Sequence, residues 1–175
     1  QLGMENYRQL FSPETELGRW LMARNTMLRI GRNLFVHAGL SARLLERDLE
    51  IETLNARMSE GLYRTSKERK EDPTLEFLYR SAGPIWYRGM VCADEKYDPL
   101  TPEQTGALLR RYDADRLLAG HTIFPDISTF HDGRVIAVNV QNDLNRRKNR
   151  GRAVLIEGSR ISVVGNRGVK RVLEE

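Results

Sequence analysis

The sequence predicts a mixed α/β fold, α+β-like, in which most strands pair antiparallel. Three observations point there. Two short apolar runs end in histidine, Asn33-Leu34-Phe35-Val36-His37 and Leu117-Leu118-Ala119-Gly120-His121, and runs of this length bounded by turn residues suit buried strands. Between them lie stretches with helical apolar periodicity. After them come short apolar segments divided by Asp132-Gly133 and Glu157-Gly158-Ser159, the pattern of hairpins.

In chain order, residues 4–24 read as helical. Ser12 is the expected N-cap and Pro13 the first helical residue, and Leu17, Trp20 and Leu21 share an apolar face with Trp20 as core anchor. Residues 25–36 read as a hairpin turning at Gly31-Arg32-Asn33, so His37 ends its second strand. Ser41 to about Tyr63 reads as one long helical stretch through Leu44, Leu45, Leu49, Ile51, Leu54 and Met58. The charged segment 65–73 reads as a solvated, mobile connection, and 74–81 as a short helix. Gly83-Pro84-Ile85-Trp86-Tyr87-Arg88-Gly89 is a loop by its punctuation, and its aromatic pair predicts an arginine held rigidly. Thr101-Pro102-Glu103-Gln104 opens a helix to about Tyr112, and strand 116–120 follows. Segments 127–130 and 134–140 form one hairpin, 145–152 a basic loop, and 153–156 with 161–164 a second hairpin. The tail 166–175 reads as a last strand or helix.

Composition narrows the function classes. At 175 residues the chain can bury a real core. A net charge of +4, from 28 basic and 24 acidic residues, is too small an excess to imply nucleic acid by itself. No apolar run is long enough to span a membrane. The single cysteine, Cys92, excludes an internal disulfide and reads as a packed thiol. The start at Gln1-Leu2-Gly3 reads as a cut inside a longer protein, so the compartment, cytoplasmic or periplasmic, stays open.

Chemistry rests first on the histidines. His37 and His121 stand at two strand ends beside glycines, where imidazoles from adjacent strands can share one metal ion. The third histidine, His131, reads as a surface residue of a turn, Tyr87 as either a substrate border or packing, and Asp115 and Asp126 as turn or cap residues.

Four stretches together resemble the calcineurin-like metallophosphoesterases, most closely the bacterial Shewanella-like branch of the phosphoprotein phosphatases. Val36-His37-Ala38-Gly39-Leu40-Ser41 looks like the family's histidine-glycine-glycine motif. Gly83 to Gly89 is similar to the branch's substrate-arginine loop. Gly120-His121-Thr122 resembles its glycine-histidine-threonine metal motif, and Phe130 to Val140 the strand pair after it. The order and spacing fit from roughly residue 10 to 165. Asn139 and Gln141 depart from the family, where aspartate and glycine are common.

The resemblance implies a β-sandwich flanked by helices, of which residues 1–175 would be the C-terminal half, a single partial domain with a helical insertion around 41–112. It implies two divalent metal ions (Mn, Fe or Zn) in the full enzyme, with His37 and His121 on the second, and Arg88 gripping the substrate phosphate. The substrate would be a phosphorylated protein or a small phosphomonoester. The family's aspartate-x-histidine, glycine-aspartate-x-x-aspartate-arginine-glycine and glycine-asparagine-histidine-glutamate motifs do not occur here. They would supply the other ligands and the general acid, so this chain alone is expected to be inactive and to bind metal weakly or not at all. An isolated half is also expected to dimerise, swap elements or require its missing half. The alternative is a non-catalytic module binding an anion or nucleic acid through 146–152, whose five cations have no interleaved aromatic.

Overall fold

The computed structural model describes residues 2–174; Gln1 and Glu175, which the readings of the chain start and tail include, lie outside them. Helices α1 (Leu2–Leu10) and α2 (Glu16–Met22) lead into a hairpin, β1 (Met27–Ile30) and β2 (Asn33–Val36). A long crossover follows: a 3₁₀ turn (Ala42–Arg47), then α3 (Ile51–Gly61), α4 (Ser66–Lys70), α5 (Pro73–Tyr79), a 3₁₀ turn (Glu95–Tyr97) and α6 (Pro102–Arg111). It returns the chain to β3 (Arg116–Ala119), then β4 (Ser128–Phe130) and β5 (Val135–Ala137). Helix α7 (Asn142–Arg147) precedes β6 (Ala153–Glu157), β7 (Arg160–Val164) and β8 (Lys170–Glu174).

Two sheets result. The first has strand order β1-β2-β3-β5-β4, and the second is an antiparallel meander β6-β7-β8. The heart of the first sheet is parallel: β2 pairs with β3, and β3 with β5. Antiparallel pairs at both edges complete a mixed sheet. The expectation of mostly antiparallel strands thus holds for the edges and the second sheet, and the parallel centre is new. A parallel pair needs a long crossover, and the helices between His37 and His121 are that crossover.

Side chains alternate across the first sheet. Leu34, Val36, Leu117, Ala119, Val135 and Ala137 pack in one cluster with Leu54, Leu78 and Leu108 from the helices. Phe35, Leu118, Ile136 and Val138 face the other way and meet Ile161, Val163, Val154 and Ile156 of the second sheet. Buried on both faces, β2, β3 and β5 read as near-continuous apolar runs for this reason.

Several local expectations are corrected. Helix α2 starts at Glu16, not Pro13: the Thr15 hydroxyl, rather than Ser12, accepts from Gly18 N at 3.0 Å. Trp20 is no core anchor; it is 53% exposed, because only Gly18 of this helix is buried. The long helix from Ser41 is broken at Asp48, whose left-handed backbone ends the 3₁₀ turn. Segment 65–73 is ordered as helix α4, closed by a capping box in which Thr65 accepts from Glu68 N and the Glu68 carboxylate accepts from Thr65 N. The basic loop 145–152 begins inside helix α7.

Candidate functional site

Strands β2 and β3 run parallel with Val36 opposite Ala119, so each delivers its next residues to the same end of the sheet. The ladder continues one step further, with Gly120 N donating to the His37 carbonyl at 2.9 Å. A Cβ on Gly120 would stand 3.0 Å from that oxygen, a crowding glycine avoids. The chain then turns sharply: His121 has φ of +59°, rare for a residue with a side chain. Strain of this kind gathers at functional sites. It brings His121 Nδ1 to 3.1 Å from His37 Nε2.

His37 is exposed and His121 half-buried. Burial, first of all, holds the His121 imidazole below its ordinary pKa, and the Arg88 guanidinium and His37 add to this. The ring is thus biased neutral, the form that binds metal. Its outer nitrogen, Nε2, is buried with no hydrogen-bond partner. Crevices beyond the carboxyl ends of parallel strands are where ligands bind in open α/β sheets.

Arg88 joins this end through its loop. Its guanidinium donates to the Thr122 hydroxyl at 2.9 Å, directly after His121. The segments 38–41 and 82–90 are tied together. Ala38 N donates to the Pro84 carbonyl at 2.9 Å, and the Ser41 hydroxyl to the Ala82 carbonyl at 2.8 Å. Tyr87 is buried and its hydroxyl donates to the Asp98 carbonyl at 2.5 Å; burial raises its pKa. Tyr87 is therefore packing, whereas Trp86 is exposed and stands edge-on to His121 with ring centroids 5.5 Å apart. The expectation of two anchoring aromatics holds for one of them.

Sequence reasoning missed Thr122 as the holder of Arg88, although it sits in the motif singled out. It also missed His131. That ring is half-buried and donates from Nε2 to the Met90 carbonyl at 3.0 Å, bracing the loop after Arg88 rather than sitting free in a surface turn. Asp115 pairs with Arg32 at 2.8 Å, and Asp126 accepts from Ile127 N at 2.8 Å and from Arg152 at 2.7 Å, as turn residues should. Among the described residues, no group of three or more His, Cys, Asp or Glu side chains gathers to form a full metal shell.

Two layered sheets with a histidine pair at the strand ends are similar to half of known phosphatase structures. The particular likeness is to cold-active protein tyrosine phosphatases. One solved structure matches with a TM-score of 0.86 and 28% identity, over 97% of this chain and 48% of that one. A point mutant matches with a TM-score of 0.85 and 27% identity, over 96% of this chain and 48% of that one. The protein of a psychrophilic Shewanella species matches with the same values. The chain spans about half the length of the structures it matches. No family model and no curated protein matches it. The resemblance to the Shewanella-like phosphatases, read from four motifs, is borne out over nearly the whole chain.

Proposed function

We propose that this chain is the C-terminal half of a metal-dependent phosphoesterase, of the Ser/Thr-type phosphoprotein phosphatase kind, with His37 and His121 as metal ligands and Arg88 as the phosphate-binding residue. One observation carries the reading: adjacent parallel strands set two imidazole nitrogens 3.1 Å apart, and the residue after His121 holds Arg88. Two nitrogens on one ion, with bonds of ~2.0–2.1 Å, are spaced on this order. The residues present fit two positions of a shell and no more, and the reading assigns the remaining ligands and the general acid to sequence outside this chain. A bound divalent ion would polarise the phosphoryl group and lower the pKa of water.

The chain's own residues do the rest. His37 and His121 supply imidazole nitrogens whose spacing is held by the pairing of β2 with β3. Arg88 offers a guanidinium suited to two phosphate oxygens, kept in place by Thr122. The test is hydrolysis of an aryl phosphate by the full chain, meaning residues 1–175 joined to the upstream half that the reading requires, supplied with Mn²⁺. His37→Ala, His121→Ala and Arg88→Ala should each lower kcat/KM by roughly a hundredfold or more. Full activity surviving loss of both His37 and Arg88 overturns the reading.

The alternative, nucleic-acid binding through 146–152, is weakened by the structure. Arg150 donates to Asn145 at 2.9 Å, Arg147 donates to the Asp143 carbonyl at 3.4 Å and Arg152 pairs with Asp126, so three of its five cations are engaged within the fold. Salt-dependent oligonucleotide binding without phosphatase activity in the full chain would restore it.

A further inference from the structure

Arg88 also lines a cavity of about 560 Å³ whose wall includes neither His37 nor His121. Trp86 and Arg88 stand on its wall, so it is continuous with the candidate site. Four cations line it, Arg43, Arg80, Arg88 and Lys96, against the single carboxylate of Asp98. Two of them are partly neutralised: Arg80 lies 3.5 Å from Glu76, and Lys96 lies 2.8 Å from Asp94. Arg43 is exposed and makes no ion pair among the described residues. The 3₁₀ turn that carries it is fastened to the Arg88 loop by the hydrogen bond from Ser41 to Ala82. The backbone that carries Arg43 is therefore held against the Arg88 loop.

From this charge pattern we infer that the cavity is a second substrate subsite, which takes an acidic side chain flanking the phosphorylated residue, with Arg43 as its specificity-determining residue. The inference rests on the phosphoesterase reading and names the substrate class of that site, a phosphoprotein segment rich in acidic residues. A concave wall with an excess of cations attracts such a segment and repels a basic one. A nucleic acid fits less well. Stacking needs successive aromatic faces, whereas Tyr87 is buried, Arg69 covers the Tyr79 ring at 3.9 Å and Lys96 the Tyr97 ring at 4.8 Å, which leaves Trp86 as the exposed ring of this cavity.

The experiment compares matched phosphopeptides whose flanking residues are Glu, Gln or Lys, in the full chain with Mn²⁺. Glu-flanked peptides should exceed Gln-flanked ones in kcat/KM by about fivefold, the scale of one partly exposed ion pair. Arg43→Gln should bring the ratio to near one, and Arg43→Glu should turn the preference toward Lys. Circular dichroism confirms that each variant is folded, and the Gln variant decides if the Glu variant is not. If the aryl phosphate and all peptides are cleaved but flanking charge is without effect, the subsite is refuted and the phosphoesterase reading stands. If nothing is cleaved, that reading falls. Fluorescence anisotropy of a labelled Glu-flanked peptide then decides the subsite by its dependence on Arg43. Tighter Arg43-dependent binding of a single-stranded oligonucleotide than of the peptide also refutes it.

Discussion

Thr122 couples two residues of the candidate site, since it follows His121 in the chain and its hydroxyl accepts from Arg88. Thr122→Val leaves the guanidinium without that acceptor. The expected outcome is a KM for aryl phosphate raised roughly tenfold, the scale of one charged hydrogen bond. Thr122→Ser should restore it, as steady-state kinetics on the full chain will show. Gly89 has a different constraint. A Cβ there would overlap the Tyr87 hydroxyl and the Asp98 carbonyl. Gly89→Ala should therefore lower the thermal midpoint and displace Arg88 together with its loop. An unchanged midpoint by calorimetry would show that the loop gives way freely. His37 and His121 were readable as single residues because each ends an apolar run. Their meeting was not readable, for it depends on the pairing of strands whose histidines lie 84 residues apart.

At the scale of elements, short polar side chains hold the helices in place. Asn55 of α3 accepts from Thr26 N and Met27 N at 2.8 and 2.9 Å and donates to the Met27 carbonyl at 2.8 Å. It thereby fastens the start of edge strand β1. Asn55→Ala leaves these groups unpaired and should cost about 1–3 kcal/mol in denaturant unfolding. Asp72 caps α5 through Thr74 N and Leu75 N and pairs with Arg57. The hydrogen bond from Arg57, then that from Leu75 N, holds its carboxyl below the usual range. Its folded pKa is lowered, so its contribution is complete above the ordinary aspartate value and lost as pH falls through the folded one. Urea titrations at successive acidic pH values should show a shallower loss in Asp72→Asn. Element starts were well marked in the sequence where a cap stood beside proline, as at Thr101-Pro102, and the capping box of Thr101 and Gln104 forms there. Thr65 and Glu68 carried the same box, but the surrounding charge read as loop. The face of α2 shows the opposite limit: helical spacing aligns Leu17 and Trp20, yet it cannot say whether anything covers them.

Over the whole molecule, the gap between the two sheets opens beside His37. A cavity of about 590 Å³ there is lined by Phe35, Val36, Leu118, Val138 and Val154. The isolated chain 1–175 is therefore expected to self-associate through this apolar mouth. Sedimentation that shows a stable monomer at tens of micromolar, roughly the range where weak dimers form, would count against it. The layering itself was only half visible in the sequence. Local periodicity marks which residues are apolar, but the two-sided burial of β2, β3 and β5 follows from their partners.

The hydrogen bond from Gly120 N to the His37 carbonyl has an evolutionary reading. Imidazole spacing is copied from the register of a parallel ladder, so the length of the intervening chain does not enter it. Insertions and deletions between Ser41 and Asp115 can remodel what surrounds Arg88 while the histidine pair keeps its gauge. A slip of one residue between β2 and β3 would instead shift that gauge by ~3.3 Å and destroy it. Natural variation should accordingly be wide in the excursion and close to nil in the two strand ends, a division of labour between a fixed ruler and an interchangeable arm.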